Sequence, residues 1–201
     1  GPAAFAEAPA PAAPLAPWFT NVTDQVGLSN RPGFRLSVAD VNNDGYPDIL
    51  LHRMQDDMSG DVLNKQYLLL NVQCPDNPDP HCRKFVDVTA GSGIRANRQG
   101  TNEGRHSDGA VFADVNNDGN LDMFTMVYVH RNYTLDKGRN DLLLGDGRGH
   151  FTLAPNSPFH TEPIWNTAAA VFIDYNNDGA ADLYIGNWYN PDNTLTKGQI
   201  Y

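Results

Sequence analysis

The chain contains one nine-residue pattern three times: DVNNDGYPD at residues 40–48, DVNNDGNLD at 114–122 and DYNNDGAAD at 174–182. Each copy has Asp or Asn at positions 1, 3 and 5, Asp at position 9 and Gly at position 6. A tight turn between strands needs only the Asn-Asp-Gly corner. A turn alone does not explain the Asp that recurs at position 9, which indicates a further role for these oxygen atoms.

Oxygen atoms at this spacing are typical of a loop that binds a hard cation. Alternate side chains on a tight loop converge, the carbonyl at position 7 adds an oxygen, and Gly permits the sharp turn. Ca2+ takes about 6–8 oxygens at about 2.3–2.6 Å, so we predict one Ca2+ in each loop. The predicted ligands are Asp40, Asn42, Asp44, Tyr46 and Asp48 in loop 1; Asp114, Asn116, Asp118, Asn120 and Asp122 in loop 2; and Asp174, Asn176, Asp178, Ala180 and Asp182 in loop 3.

These loops lack the EF-hand pattern. An EF-hand needs a bidentate Glu at position 12 and a helix on each side, whereas position 12 is Leu51, Thr125 or Ile185. The flanking segments are short and rich in Val, Ile, Phe and Tyr, which is typical of strands. We therefore predict three β-hairpins, each closed by a calcium loop.

The hairpins belong to a longer repeat. The loops begin at residues 40, 114 and 174, so the periods are 74 and 60 residues, and further strand-like segments follow each hairpin. Four-stranded antiparallel units repeated along a chain are the blades of a β-propeller. The sequence predicts an all-β propeller segment with blades at about residues 34–90, 106–154 and 165–201, the last one incomplete.

The repeat region is expected to span residues 18–201. Residues 18–28 are similar to residues 85–94 at the end of the first blade, so we predict a lone outer strand that precedes the first blade and closes the ring against the last one. Residues 1–17 are rich in Pro and Ala, which is typical of a flexible leader or linker.

The chain resembles FG-GAP/VCBS repeats in its three loops, in its Phe-x-(Asn/Asp)-Val-Thr segments and in LLLGDGRGHF at residues 142–151. Such repeats occur in integrin α-subunit propellers and in many secreted propeller proteins. The resemblance implies a ring of about seven blades with calcium loops on one rim. It also implies that this chain is part of a longer protein or that another chain completes the ring.

The charge of the chain is mostly accounted for by the loops. Nine of the 24 acidic residues lie in them, and three bound Ca2+ would change the formal charge from −10 to −4. A nucleic-acid-binding protein would show a basic stripe instead. No apolar run approaches the roughly 18 residues that a membrane-spanning helix requires.

Cys74 and Cys82 are the two cysteines of the chain. They could form a metal site, a pair of free thiols or a disulfide. A zinc site would need more ligands than His81 adds, so a disulfide is the favoured interpretation. Disulfides form in oxidising compartments, and weak calcium sites fill at extracellular calcium levels. The sequence therefore predicts a secreted or extracellular protein, or one in the periplasm or at the cell surface.

The chain contains no recognised catalytic motif, and RHSD at residues 105–108 is too local to form a Ser-His-Asp triad. Residues after the second strands are candidates for a ligand face: His52, His130, Trp188 and Tyr189. The alternative is that these are ordinary loop residues. We expect a module that binds a protein or glycan in adhesion. A carbohydrate-active enzyme and a purely structural module are the alternatives, and an enzyme is the least favoured because fold alone does not fix function.

Overall fold

A computed structural model describes residues 18–31, 33, 35–52, 66–98, 100, 104, 107–127, 140–160, 166–188 and 198–201. These residues form three antiparallel sheets, in which the order of strands follows the chain. Sheet 1 contains β1 (Arg35–Ala39), β2 (Asp48–His52), β3 (Gln66–Gln73) and β4 (Arg83–Asp87); sheet 2 contains β5 (Gly109–Ala113), β6 (Asp122–Met126), β7 (Asp141–Gly145) and β8 (Phe151–Leu153); sheet 3 contains β9 (Thr167–Ile173), β10 (Asp182–Asn187) and β11 (Gln199–Ile200). The same described residues include 3-10 turns at Thr89–Gly91 and Pro158–His160. The predicted all-β class is confirmed.

The three loops close equivalent hairpins. The residue before each loop pairs with the Asp at its position 9: Ala39 with Asp48, Ala113 with Asp122, and Ile173 with Asp182. Because a one-residue slip would turn every side chain to the other face, this common register places the loops in the same way on all three sheets. The hairpins predicted from the sequence are present.

The sheets pack face to face through two apolar clusters. The first lies between sheets 1 and 2 and includes Leu50, Leu68, Met123 and Phe151. The second lies between sheets 2 and 3 and joins Phe124 and Phe159 to side chains of β10. Met123 and Phe124 are neighbours in β6, and consecutive residues of a strand face opposite sides of the sheet. Both are fully buried, so both faces of sheet 2 are covered. Burial of each such side chain contributes about 1.5–3 kcal/mol to folding, so sheet 2 is stabilised on both faces.

The first strands of the three sheets lie side by side, with β1 next to β5 and β5 next to β9. They line an open groove whose apolar wall includes Leu36, Val38, Phe112 and Val171. Leu36 and Val38 are more than half exposed there. The first strands of the three sheets therefore lie on the same side of the stack.

Residues 18–28 differ from the expected lone strand. They form turns, in which Val22 O accepts the N–H groups of Gln25 and Val26 at 2.9 and 3.1 Å. A single strand cannot satisfy its main-chain groups without a partner sheet, and the described residues supply none at this position. The turn docks on sheet 1, because Phe85 N donates to Val26 O at 2.9 Å.

The same docking recurs between sheets 1 and 2. Phe151 N donates to Ser92 O at 2.8 Å, and Ser92 follows Val26 by 66 residues, as Phe151 follows Phe85. The glycines that come next, Gly27 and Gly93, both have positive φ angles, 79° and 74°. Residues 18–28 thus meet sheet 1 as the connection after β4 meets sheet 2.

Asp87, the last residue of β4, bonds both to Arg31, which follows the N-terminal turn, and to Thr89, in the connection after β4. We call this contact the Asp87 junction. Arg31 donates to Asp87 Oδ2 at 2.7 Å, and Thr89 N donates to Oδ1 at 3.0 Å. Burial raises the pKa of Asp87, but the hydrogen bonds from Thr89 and the charge of Arg31 outweigh it and lower the pKa below its ordinary value. The ionised carboxylate therefore stabilises the folded state.

We expect Asp87→Asn to lower the melting temperature at pH 7 and to have little effect near pH 2. A lowered pKa stabilises the fold above the unfolded value of 3.8 and loses that contribution as the pH falls through the folded value. Thermal melts of both proteins between pH 2 and 7 measure the difference. Arg31→Gln should reproduce part of the loss at pH 7, and a pH-independent difference would contradict the assignment.

Candidate calcium loops

The three loops have the same backbone conformation. The Gly at position 6 has a φ angle of 84°, 87° and 86° in loops 1, 2 and 3. A Cβ atom there would meet nothing within 4 Å, so these glycines are required by conformation and not by space. The Asn at position 4 is also left-handed, with φ angles of 57°, 58° and 59° at Asn43, Asn117 and Asn177. Asn tolerates this region better than most residues, a role that the ligand pattern did not reveal.

The side chains at positions 1, 3 and 5 are drawn together around the main chain. In loop 2, Asp118 N donates both to Asp114 Oδ1 at 3.0 Å and to Asn116 Oδ1 at 2.9 Å. The carboxylate of Asp118 in turn accepts from Asn120 N at 2.8 Å and from the Asn116 amide at 3.0 Å. Loops 1 and 3 repeat these bonds. Oxygen atoms of positions 1 and 3 therefore lie around a single N–H group in each loop.

The Asp at position 9 fastens the loop to its sheet. Asp122 Oδ2 accepts from Val115 N at 3.0 Å, and its Oδ1 accepts from Gly145 N, on the third strand, at 2.9 Å. Asp48 makes the equivalent bonds to Val41 N and Asn71 N. Both carboxylates are almost completely buried. In loops 1 and 2 the Asp at position 9 is therefore a structural residue in its own right, whether or not a cation is bound.

Burial raises the pKa values of Asp48 and Asp122, although hydrogen bonds from the main chain act in the opposite direction. The carboxylates at positions 1 and 5 raise both pKa values further, because like charges disfavour ionisation. Loops 1 and 2 thus concentrate negative charge that a cation would offset.

The donor chemistry of the loops fits Ca2+. At positions 1, 3, 5 and 9 each loop offers three carboxylates and one amide oxygen, main-chain carbonyls lie beside them, and no loop contains a thiolate or an imidazole. Hard cations prefer such oxygens, whereas softer metals prefer sulphur or nitrogen. Within the described ranges, no three His, Cys, Asp or Glu side chains are grouped closely enough to hold a metal ion. The carboxylates are instead directed at main-chain N–H groups.

Loops 1 and 2 are in direct contact. Asn43 Nδ2 donates to Asn120 Oδ1 at 3.0 Å, and Gly147 lies against both side chains in the turn between β7 and β8. Loops 2 and 3 are instead separated by an open groove lined by Asn117 and Ala180. Ala180 stands where loop 2 has Asn120, so it has no side-chain oxygen to accept a similar bond.

Cys74 and Cys82 form the predicted disulfide. It joins the end of β3 to the residue before β4, and Cys74 N also donates to Cys82 O at 2.9 Å. Closing a loop of this size stabilises a fold by roughly 2–3 kcal/mol. The bond fixes the position at which β4 begins.

The prediction that His52 belongs to an open ligand face is wrong. The residue ends β2 but is only 1 % exposed, and its Nδ1 atom lies 3.2 Å from Ser107 Oγ. Ser107 Oγ also donates to Gly109 O at 3.1 Å, so the pair is a buried contact between sheets 1 and 2. Trp188 follows β10 and is half exposed. His130 and Tyr189 lie outside the described residues.

A polar network that the sequence did not reveal lies at the end of the sheets opposite the loops. Asn140 Nδ2 donates to Thr167 Oγ1 at 2.7 Å, Thr167 Oγ1 donates to Asn187 Oδ1 at 3.0 Å, and Asn187 Nδ2 donates to Gln199 Oε1 at 3.3 Å. Arg98 adds bonds to the Asp141 carboxylate and to Phe159 O. Side-chain hydrogen bonds therefore connect neighbouring sheets at this end.

The three stacked antiparallel sheets, two of four strands and one of three, each carry one loop of the same geometry and define a protein of repeated β units. Residues 127–185 match the family model of the FG-GAP-like repeat, so the chain carries a repeat of this family. The match begins after β6 and ends in β10, and it includes loop 3. No curated protein matches the chain at a significant level. Among the described residues, no helix has the length and apolar character needed to cross a membrane.

Proposed function

We propose that the chain is a segment of an extracellular β-propeller that binds one Ca2+ in each of its three loops and acts as a binding or adhesion module for a protein or glycan. The observation that carries this proposal is the threefold recurrence of one loop geometry, with the same oxygen donors at the same register. Asp and Asn at positions 1, 3 and 5, the carbonyl at position 7 and Asp at position 9 would hold the ion. Bound Ca2+ would neutralise the carboxylates and stabilise the hairpins.

The propeller interpretation is supported by the way the sheets stack. They pack face to face, and their first strands line a common groove, as the innermost strands of a propeller surround its central channel. The docking of residues 18–28 on sheet 1 matches the connection between sheets 1 and 2. We infer that further blades, from the same protein or from another chain, complete a ring of about seven.

The extracellular location is supported by the disulfide and by the family of the repeat. A disulfide persists in oxidising compartments. Loops of this kind with modest affinity are filled at the roughly millimolar calcium concentrations found outside cells. Probing immobilised glycans and cell-surface proteins with the protein in calcium and in EDTA tests the ligand part. Calcium-dependent capture of a defined ligand is expected, and calcium-independent binding would contradict that part of the proposal.

Asp118→Ala tests the calcium sites themselves. We expect the melting temperature in calcium to fall by about 5–10 °C, which is the loss of one site occupied at about a hundred times its Kd, and to change little in EDTA. Asp118 is exposed, and its carboxylate accepts only the exposed hydrogen bonds from Asn120 N and the Asn116 amide, so the apo protein should tolerate the change. Differential scanning fluorimetry under both conditions measures the effect.

Asp146→Ala is the matched control for this experiment. Asp146 also accepts from two main-chain N–H groups in an exposed Gly-rich turn, those of Arg148 and His150, but it lies outside the three loops. Its loss should be the same in calcium and in EDTA. If Asp118→Ala behaved like Asp146→Ala, the loop would be an ordinary turn and the calcium proposal would be wrong.

A further inference from the structure

Loop 1 has a neighbour that distinguishes it from the other two loops. The guanidinium of Arg83, the first residue of β4, lies over the ring of Tyr46, with 3.4 Å between its central carbon and the ring centroid. Its Nη2 atom is 3.6 Å from Asp44 Oδ2. Tyr46 and Asp44 occupy positions 7 and 5 of loop 1, so a cationic side chain already stands beside the carboxylate that would bind Ca2+.

Arg83 is held in this position by more than the loop. Its Nε atom donates to Asn71 Oδ1 at 3.0 Å, and Nη2 donates to Asn71 O. It also follows Cys82 directly, so the disulfide fixes the start of its strand. The side chain is only 18 % exposed. A guanidinium stays protonated at all pH values at which proteins are folded, so loop 1 has a permanent positive charge within reach of its ligands.

Within the part of the chain that the structure describes, loops 2 and 3 lack both features of loop 1, the aromatic ring at position 7 and the cationic side chain beside the Asp at position 5. Position 7 is Asn120 in loop 2 and Ala180 in loop 3, neither of which offers an aromatic ring for a guanidinium. Among the described residues, no Lys or Arg side chain forms an ion pair with Asp118 or Asp178, the counterparts of Asp44. Each of these two loops keeps the full charge of its three carboxylates.

We propose that Arg83 is a competing internal cation that makes loop 1 the weakest of the three calcium sites; this inference rests on the proposed calcium function. Calcium affinity of such loops depends on the number of ligand charges, and Arg83 offsets one of the three in loop 1. A bound Ca2+ would also be repelled by the guanidinium over a few ångströms in a partly buried setting. The same contact offsets part of the negative charge of loop 1 when no calcium is bound. Loop 1 therefore fills last as the calcium concentration rises.

The first test assigns the weakest site in the unaltered protein. Isothermal titration with CaCl2, combined with native mass spectrometry to count bound ions, should resolve two tighter sites and one weaker site. Asp44→Ala should remove the weaker site and leave the tighter ones, whereas Asp118→Ala should remove a tighter one. Loss of a tighter site in Asp44→Ala, or three equal sites in the unaltered protein, would overturn the inference. This assignment does not depend on whether any Arg83 variant folds.

The second test removes the charge. Arg83→Gln keeps a donor for Asn71 and is expected to tighten the weak site about tenfold, equivalent to about 1.4 kcal/mol, whereas Arg83→Lys should keep it weak. Arg31→Gln is the matched control, because Arg31 also pairs with an Asp and lies over a Tyr ring, but at the Asp87 junction. It should leave all calcium affinities unchanged. Tightening in both glutamine variants would contradict a local effect of Arg83.

The outcomes separate the two proposals. If the unaltered protein and all variants bind no calcium, the proposed function fails and this inference fails with it. If calcium binds at three sites but the Arg83→Gln variant shows no tighter site, the proposed function stands and the role of Arg83 is wrong.

Discussion

Gly93→Ala is expected to reduce the free energy of unfolding by about 2–6 kcal/mol, combining a strained left-handed backbone with forced overpacking. Gly93 has a φ angle of 74°, and a Cβ atom would lie 2.1 Å from Phe151 O, a main-chain atom that cannot rotate away. The contact lies next to the Ser92–Phe151 hydrogen bond that joins the connection after β4 to sheet 2. Urea denaturation at neutral pH measures the loss.

Gly100→Ala is the control for this prediction. Gly100 also has a positive φ angle, 77°, but a Cβ atom there would meet nothing within 4 Å. Only the conformational cost should appear, about 1 kcal/mol. Equal losses at the two positions would show that the connection does not approach Phe151 as closely as described.

Asp122→Ala is expected to destabilise the protein by about 2–6 kcal/mol in EDTA and by more than that in calcium. The carboxylate is fully buried and accepts from Val115 N and Gly145 N. Its removal leaves two partly buried N–H groups without that acceptor, each costing about 1–3 kcal/mol. The residue also belongs to the proposed site, so an additional loss in calcium is expected. Urea melts under both conditions separate the two contributions.

The comparison with Asp118→Ala makes this prediction specific. Asp118 is exposed and is expected to matter in calcium only, whereas Asp122 is expected to matter in both conditions. If Asp122→Ala were harmless in EDTA, the bonds between position 9 and the main chain would contribute nothing to the fold.

Features encoded by neighbouring residues could be predicted from the sequence. The hairpins follow from alternating apolar residues around an Asn-Asp-Gly corner, and Gly at position 6 follows from the left-handed turn. The disulfide between Cys74 and Cys82 could also be predicted from the sequence, because the two residues are close in the chain. Each depends on a few consecutive residues, for which local geometry decides the structure.

Features that depend on distant segments could not be predicted. The sequence predicts His52 on an open face, but the residue is buried against Ser107, 55 residues further along the chain. The similarity of residues 18–28 to residues 85–94 predicts a strand, yet a strand needs a partner sheet, which no pattern within the segment can supply. The stacking of Arg83 on Tyr46 likewise requires β4 to return beside loop 1. Tertiary packing decides all three.

Calcium bound in the three loops should stabilise all three hairpins, and a pair of thermal melts shows whether it does. The protein is melted in 2 mM CaCl2 and in EDTA, roughly the calcium level outside cells and its absence, with native mass spectrometry to count bound ions. We expect a melting temperature more than about 10 °C higher in calcium, as the occupation of several sites requires, together with three bound ions. Identical melts and no bound calcium would show that the loops are ordinary turns.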